Sequence, residues 1–182
     1  MPTEIFKRLK HNQKYIIPFK GLQDGKHIFS FNLDKEFFEL FEVEEINKVA
    51  LICEIQLVKK NSYLEIEFSI KGYIEVICDI CLDFYAQEIA SSGKLYIRFG
   101  EESTELSDEL VVIPQNQTEL DVSQYMYDFS MLGIPFRKQH PAGKKGESGC
   151  DPEMVKILRK MEVREDDSQT DPRWNSLKNL KN

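Results

Sequence analysis

The chain has 182 residues, of which 41% are apolar, and a formal net charge of −7. That length suits one domain with a sizeable core, and that charge argues against a phosphate-binding polycation. No apolar run approaches the roughly 20 residues needed to cross a membrane, and the polar, basic start, Met1 to Lys20, lacks the apolar core of a signal peptide. A cytoplasmic protein is expected. Its four cysteines, Cys53, Cys78, Cys81 and Cys150, are then reduced thiols or metal ligands rather than disulfides.

Tyr15 to Phe19 and Lys26 to Phe31 are short aromatic and β-branched runs, and Asp24-Gly25 between them predicts an N-terminal hairpin. Asp34 can cap a short helix through Phe41, whose Phe37, Phe38, Leu40 and Phe41 read as core rather than as a base-stacking platform. The centre is a β-meander. From Lys48 to Lys59 the odd positions are Val49, Leu51, Cys53, Ile55 and Leu57, a period of two that buries one face and makes Cys53 a small core hydrophobe. After a turn at Lys60-Asn61 the apolar parity moves to even positions and holds from Leu64 to Cys78. Gly72 inside that run predicts a bend or bulge. A third long segment, Phe84 to Phe99, follows, so that Cys78 and Cys81 lie in a tight turn between antiparallel strands.

Gly100 to Ser107 reads as an acidic loop, and Glu109 to Ile113 as a short strand stopped by Pro114. The period then becomes helical: Val122, Tyr125, Met126, Phe129 and Leu132 form one face, with Asp121 as N-cap, Gln124 as its capping-box partner, and Gly133 and Pro135 ending the helix. Residues 135–149 are a basic, glycine-rich loop carrying Arg137, Lys138, Lys144 and Lys145. Asp151-Pro152-Glu153 opens another short helix. Glu162 to Thr170 is an acidic linker, and Asp171-Pro172 starts a last helical turn or two with Trp174 and Leu177 on one face. The expected architecture is α+β: a mostly antiparallel meander, open or a partly closed barrel, with a few short helices packed on it. Residues 1–161 form one domain and 162–182 a linker and docking segment. Whether Trp174 and Leu177 grip a partner or pack back on their own sheet stays open at this stage.

A Cys-x-x-Cys turn is half of a tetrahedral metal site. The downstream residues able to complete it are His140 and Cys150, giving the candidate set Cys78, Cys81, His140 and Cys150 with zinc as its metal. Its second half lacks a standard knuckle spacing, and the alternative is two half-buried thiols that shape the turn. A thioredoxin-like pair belongs at a helix start, which this is not. There is no phosphate-binding glycine loop, no Gly-x-Ser-x-Gly and no His-Glu-x-x-His. Tyr73, Tyr85 and Tyr96 with Lys71, Lys94 and Arg98 offer an RNA-stacking face, but Glu65, Glu67 and Glu75 share it and favour a solvated surface.

The order of three phrases is the most specific signal. They are Cys78-Asp79-Ile80-Cys81-Leu82-Asp83-Phe84, then Leu120-Asp121 opening a helix that stops at Gly133-Ile134-Pro135, then Asp171-Pro172-Arg173-Trp174-Asn175-Ser176-Leu177. From Lys48 to Leu180 this order resembles the bacterial YceD family of large ribosomal RNA subunit accumulation proteins. The resemblance implies a cytoplasmic factor for the synthesis, processing or stability of large-subunit ribosomal RNA, and carries over no catalytic residue. It departs from many relatives in offering only His140 and Cys150 where they have a second cysteine cluster. The expected function is a non-enzymatic factor that holds a ribosomal protein or precursor large-subunit RNA. Arg137, Lys138, Lys144, Lys145, Arg173, Trp174 and Leu177 are the candidate contacts, and neither a membrane nor a small-molecule substrate is expected. The alternatives are a metal-dependent RNA-processing nuclease and a zinc-dependent binding module.

Overall fold

The structure, a computed structural model, describes residues 13–43, 46–101, 103–107, 109–142 and 149–161. A 3-10 turn, Gln13–Tyr15, leads into β1 (Ile16–Ile17), β2 (Gly25–Leu33), α1 (Lys35–Glu39), β3 (Val49–Lys60), β4 (Tyr63–Ile77) and β5 (Phe84–Gly100). Then come β6 (Thr104–Ser107), β7 (Leu110–Pro114), β8 (Leu120–Asp121), α2 (Ser123–Leu132) and α3 (Pro152–Met161). Six strands form one open sheet in the order β2-β3-β4-β5-β7-β6, so the sheet does not close into a barrel. β2 to β5 are an antiparallel meander, and the parity of β3 and β4 falls as their sequences require. Leu51, Cys53, Ile55 and Leu57 on one strand and Leu64, Ile66, Phe68 and Ile70 on the next are buried on the same face.

That face is covered by α1, α2 and the first described segment. Asp34 caps α1 by accepting from the Phe37 amide at 3.1 Å, and Phe37 packs edge-on to Tyr15 (4.9 Å) and Phe38 (5.2 Å). From α2, the Phe129 ring lies 5.2 Å from Phe68. It occupies the space where a Cβ on Gly93, the cross-strand partner of Phe68, would sit.

Four local expectations are corrected. The N-terminal hairpin does not form: β1 pairs with β8 through Ile16–Asp121 and Ile17–Leu120, while β2 pairs with β3. The reason is burial. Tyr15, Ile17 and Phe19 go into the core, and the Lys59 ammonium group donates to the carbonyls of Phe19, Lys20 and Leu22 at 2.7–3.2 Å, fixing the segment there. Gly72 makes no bulge. The ladders on both sides run through it in register, and glycine is needed because φ is +143° and a Cβ would collide with the Ala50 carbonyl. The acidic stretch holds an edge strand, β6, which pairs antiparallel with β7, while β7 runs parallel to β5. Finally, the capping box is absent: Asp121 accepts from the Ser123 amide (2.9 Å) and hydroxyl (2.6 Å), and the Gln124 side chain donates to Asp128 instead. Among the described residues no helix is long and apolar enough to cross a membrane.

Candidate metal centre

β4 and β5 are joined by the six-residue turn 78–83, closed by the Cys78 amide donating to the Asp83 carbonyl (2.9 Å) and the Leu82 amide to the Cys78 carbonyl (3.0 Å). The closure bends the backbone so that both thiols point inward and are buried. It also forces Leu82 to φ +62°. The loop after α2 is fastened to this turn twice: the Asp79 amide donates to the Lys138 carbonyl (2.8 Å), and the Lys138 amide donates to the Asp79 carboxylate (2.7 Å). This two-way clamp delivers His140. Its Nδ1 lies 3.4 Å from Cys81 Sγ, and its ring rests on the buried Tyr85 ring at 4.8 Å.

The fourth group arrives from the other side of the loop. Cys150 Sγ lies 3.6 Å from Cys78 Sγ. Its approach needs Gly149, because a Cβ there would meet the Pro141 carbonyl oxygen at 2.6 Å and the His140 side chain at 3.0 Å. Asp151 then accepts from the Glu153 amide at 3.0 Å, and Pro152 opens α3.

All four donor atoms, from Cys78, Cys81, His140 and Cys150, lie within 4.8 Å of one another. Around a tetrahedral zinc, with Zn–S near 2.3 Å and Zn–N near 2.0–2.1 Å, neighbouring donors stand about 3.5–3.8 Å apart. The 3.6 Å and 3.4 Å separations match that spacing, and a Cys3His set is a structural zinc donor set. Burial raises the affinity of the Cys78 thiol for its proton. Amides of Cys81, Ile80 and His140, together with the His140 ring, outweigh it and bring the thiol down to about 6. Cys78 thus favours thiolate, the form that binds metal. Cys53 stands apart in the sheet, fully buried, and its thiol is pushed up to about 12, first by burial and then by the Glu54 charge.

The four predicted ligands are brought together. Of the other predicted residues, Arg137 and Lys138 lie on the loop beside the cluster; Lys144, Lys145, Arg173, Trp174 and Leu177 lie outside the described residues. Tyr85, expected on the outer face, is buried against His140 instead. Sequence reasoning missed Asp79 and Gly149, which hold the loop in place. Their only signal was position, between the two cysteines and immediately before the last one.

Among the described residues this cluster is the one group of three or more His, Cys, Asp or Glu side chains placed to hold a metal ion. No curated protein and no solved structure matches the chain. A family model described as "Large ribosomal RNA subunit accumulation protein YceD" matches residues 66–181. That span runs from near the start of β4 through the cysteine turn, the α2 helix, the loop and the terminal Asp-Pro-Arg-Trp phrase, well over half of the sequence, and the chain therefore belongs to the YceD family.

Proposed function

We propose that this protein is a non-enzymatic, cytoplasmic factor supporting accumulation of large-subunit ribosomal RNA, and that it acts by holding a ribosomal protein or a segment of precursor RNA. The observation that carries this reading is the cysteine–histidine cluster, which ties the basic loop to the end of a rigid sheet. A zinc ion held by Cys78, Cys81, His140 and Cys150 would supply a structural cross-link there. Residues 1–161 serve as the body, with Arg137, Lys138, Lys144 and Lys145 presented to phosphate. Residues 162–182 serve as an acidic linker with a docking end, in which Arg173, Trp174 and Leu177 are the contacts. Family membership supports the ribosomal role.

Depletion of the protein, with ribosomal subunits resolved on a gradient, tests the role. The expected result is a fall in large subunits relative to small ones, restored by the wild-type chain but not by one carrying Cys78→Ser and Cys150→Ser. Normal large-subunit levels under depletion would refute it, and cleavage of precursor RNA by the purified protein in magnesium or manganese would replace it with the nuclease. Elemental analysis of protein never exposed to chelator is expected to give one zinc per chain.

A further inference from the structure

Beside the candidate metal centre lies an open cleft of about 530 Å³, lined in part by Cys78, by the buried Ile46 and by three exposed apolar side chains, Ile77, Leu82 and Phe84. These three are 40%, 67% and 52% exposed. Ile77 and Phe84 are partners on the last rung of the β4–β5 ladder, so their side chains stand next to each other. Leu82 is more telling. At φ +62° it occupies backbone space that favours glycine or asparagine and penalises a bulky side chain. A large apolar residue held in a strained conformation and aimed into a cleft needs something to cover it. Lys35 and Lys138 also line it, as does Asp79, whose carboxylate is engaged by the Lys138 amide. Among the described residues neither ammonium group is held in an ion pair.

The chain carries a segment with the matching chemistry. Residues 162–182 contain Glu165, Asp166, Asp167 and Asp171, followed by Trp174, Leu177 and Leu180 at every third position. The acids complement the two lysines, and the apolar stripe complements the three exposed side chains. The tether also starts in the right place. Cys150 is 3.6 Å from Cys78, and α3 begins two residues later. Ten helical residues carry the chain about 15 Å away. The twelve residues from Glu162 to Arg173 span up to roughly 40 Å when extended, ample for the return.

We propose that this cleft is the seat of the chain's own C-terminal segment. Trp174 and Leu177 cover Ile77, Leu82 and Phe84, and the acids of 165–171 face Lys35 and Lys138. The inference does not depend on which partner the protein holds. It has one consequence for partners: the same side chains cannot fill the cleft and grip another molecule at once, so a partner that uses Trp174 must displace it.

Trp174 is the only tryptophan, so its fluorescence reads the contact directly. In the full chain, purified without chelator, its emission is expected to be blue-shifted and shielded from acrylamide relative to the chain in denaturant. Leu82→Gly and Phe84→Ser should each red-shift it and raise the quenching constant several-fold. Leu82→Gly relaxes the turn while removing the side chain, so an unchanged or higher Tm in that variant separates loss of docking from loss of fold. Lys35→Glu with Lys138→Glu should act in the same direction and more weakly at high salt. Three results would overturn the proposal: a wild-type Trp174 as accessible as in denaturant; shielding that survives both Leu82→Gly and Phe84→Ser; or shielding lost on dilution, which would assign the contact to a second copy.

Discussion

Cys53 and Cys78 are the same side chain in opposite chemical states, and neighbouring backbone decides which. Cys53 lies mid-strand, where every adjacent amide is committed to the ladder, so burial, helped by the Glu54 charge, raises the thiol unopposed to about 12. Cys78 follows the last residue of a strand, and the turn it opens aims amides at its sulfur, including that of Ile80 at 3.4 Å. A thiol near 12 is only about one part in 10⁴ thiolate at pH 8, and buried as well. We therefore expect chelator-treated native protein to expose three thiols to a thiol reagent at that pH, with Cys53 reacting only after denaturation; early labelling at Cys53, read by mass spectrometry, would contradict this. Strand parity made Cys53 legible as core, because period-two burial needs no knowledge of the partner strand. Gly72 was legible as special but not for the right reason, since a bulge and a close backbone approach leave the same single-residue signature. Its φ of +143° and the Ala50 carbonyl beneath it make Gly72→Ala costly by about 3 kcal/mol, a Tm fall of roughly 6–12 °C for a chain of this size. A thermal melt within 2 °C of wild type would count against this account of the glycine.

At the level of elements, the strands declared themselves and their pairing did so only in part. β3, β4 and β5 are neighbours in sequence and in space, so turn signals sufficed. β1 with β8, and β7 with β5, are partnerships that no local pattern encodes. They depend on where Tyr15, Ile17 and Phe19 find a core to enter, and on an acidic crossover in whose edge strand β6 Thr104, Glu105 and Ser107 are exposed. The metal centre shows the same split. Cys78 and Cys81 were evident from their spacing and the strands around them. His140 and Cys150 entered as the only downstream candidates; what brings His140 in is the pair of hydrogen bonds between Asp79 and Lys138, and the approach of Cys150 depends on Gly149. Groups that fix the ligands from outside are commonly worth 10–100-fold in metal affinity. We expect Asp79→Ala to weaken zinc binding about tenfold in a competition with a chromogenic chelator. Asp79→Asn, which keeps an acceptor for the Lys138 amide, should stay within about threefold of wild type. Equal loss in both variants would show that the carboxylate charge matters rather than the bond.

The molecule as a whole has a large sheet core and, fastened to one end of it by the cysteine–histidine cluster, a loop and a short helix. Small zinc domains unfold without their ion because they bury too little surface to fold alone. Here most of the buried set lies on β2 to β5, α1 and α2, from Leu33 and Phe37 to Leu95, Ile97 and Met126, and Cys78, Cys81 and Cys150 join it only at one end of the sheet. The cluster adds only the attachment of the loop and of α3, a helix in which no residue is fully buried. Loss of zinc should therefore act locally. In hydrogen exchange, chelation is expected to remove protection from residues 138–142 and 149–161, with the β3–β5 ladder keeping its protection and far-ultraviolet circular dichroism changing little. Because the cleft between Ile77 and Phe84 shares Cys78 with the cluster, the exposure of Trp174 should rise in the same titration if the C-terminal segment is seated there. A cooperative collapse of the whole sheet on chelation would mean instead that the ion contributes to the fold itself, which the small share of the core that the cluster supplies argues against.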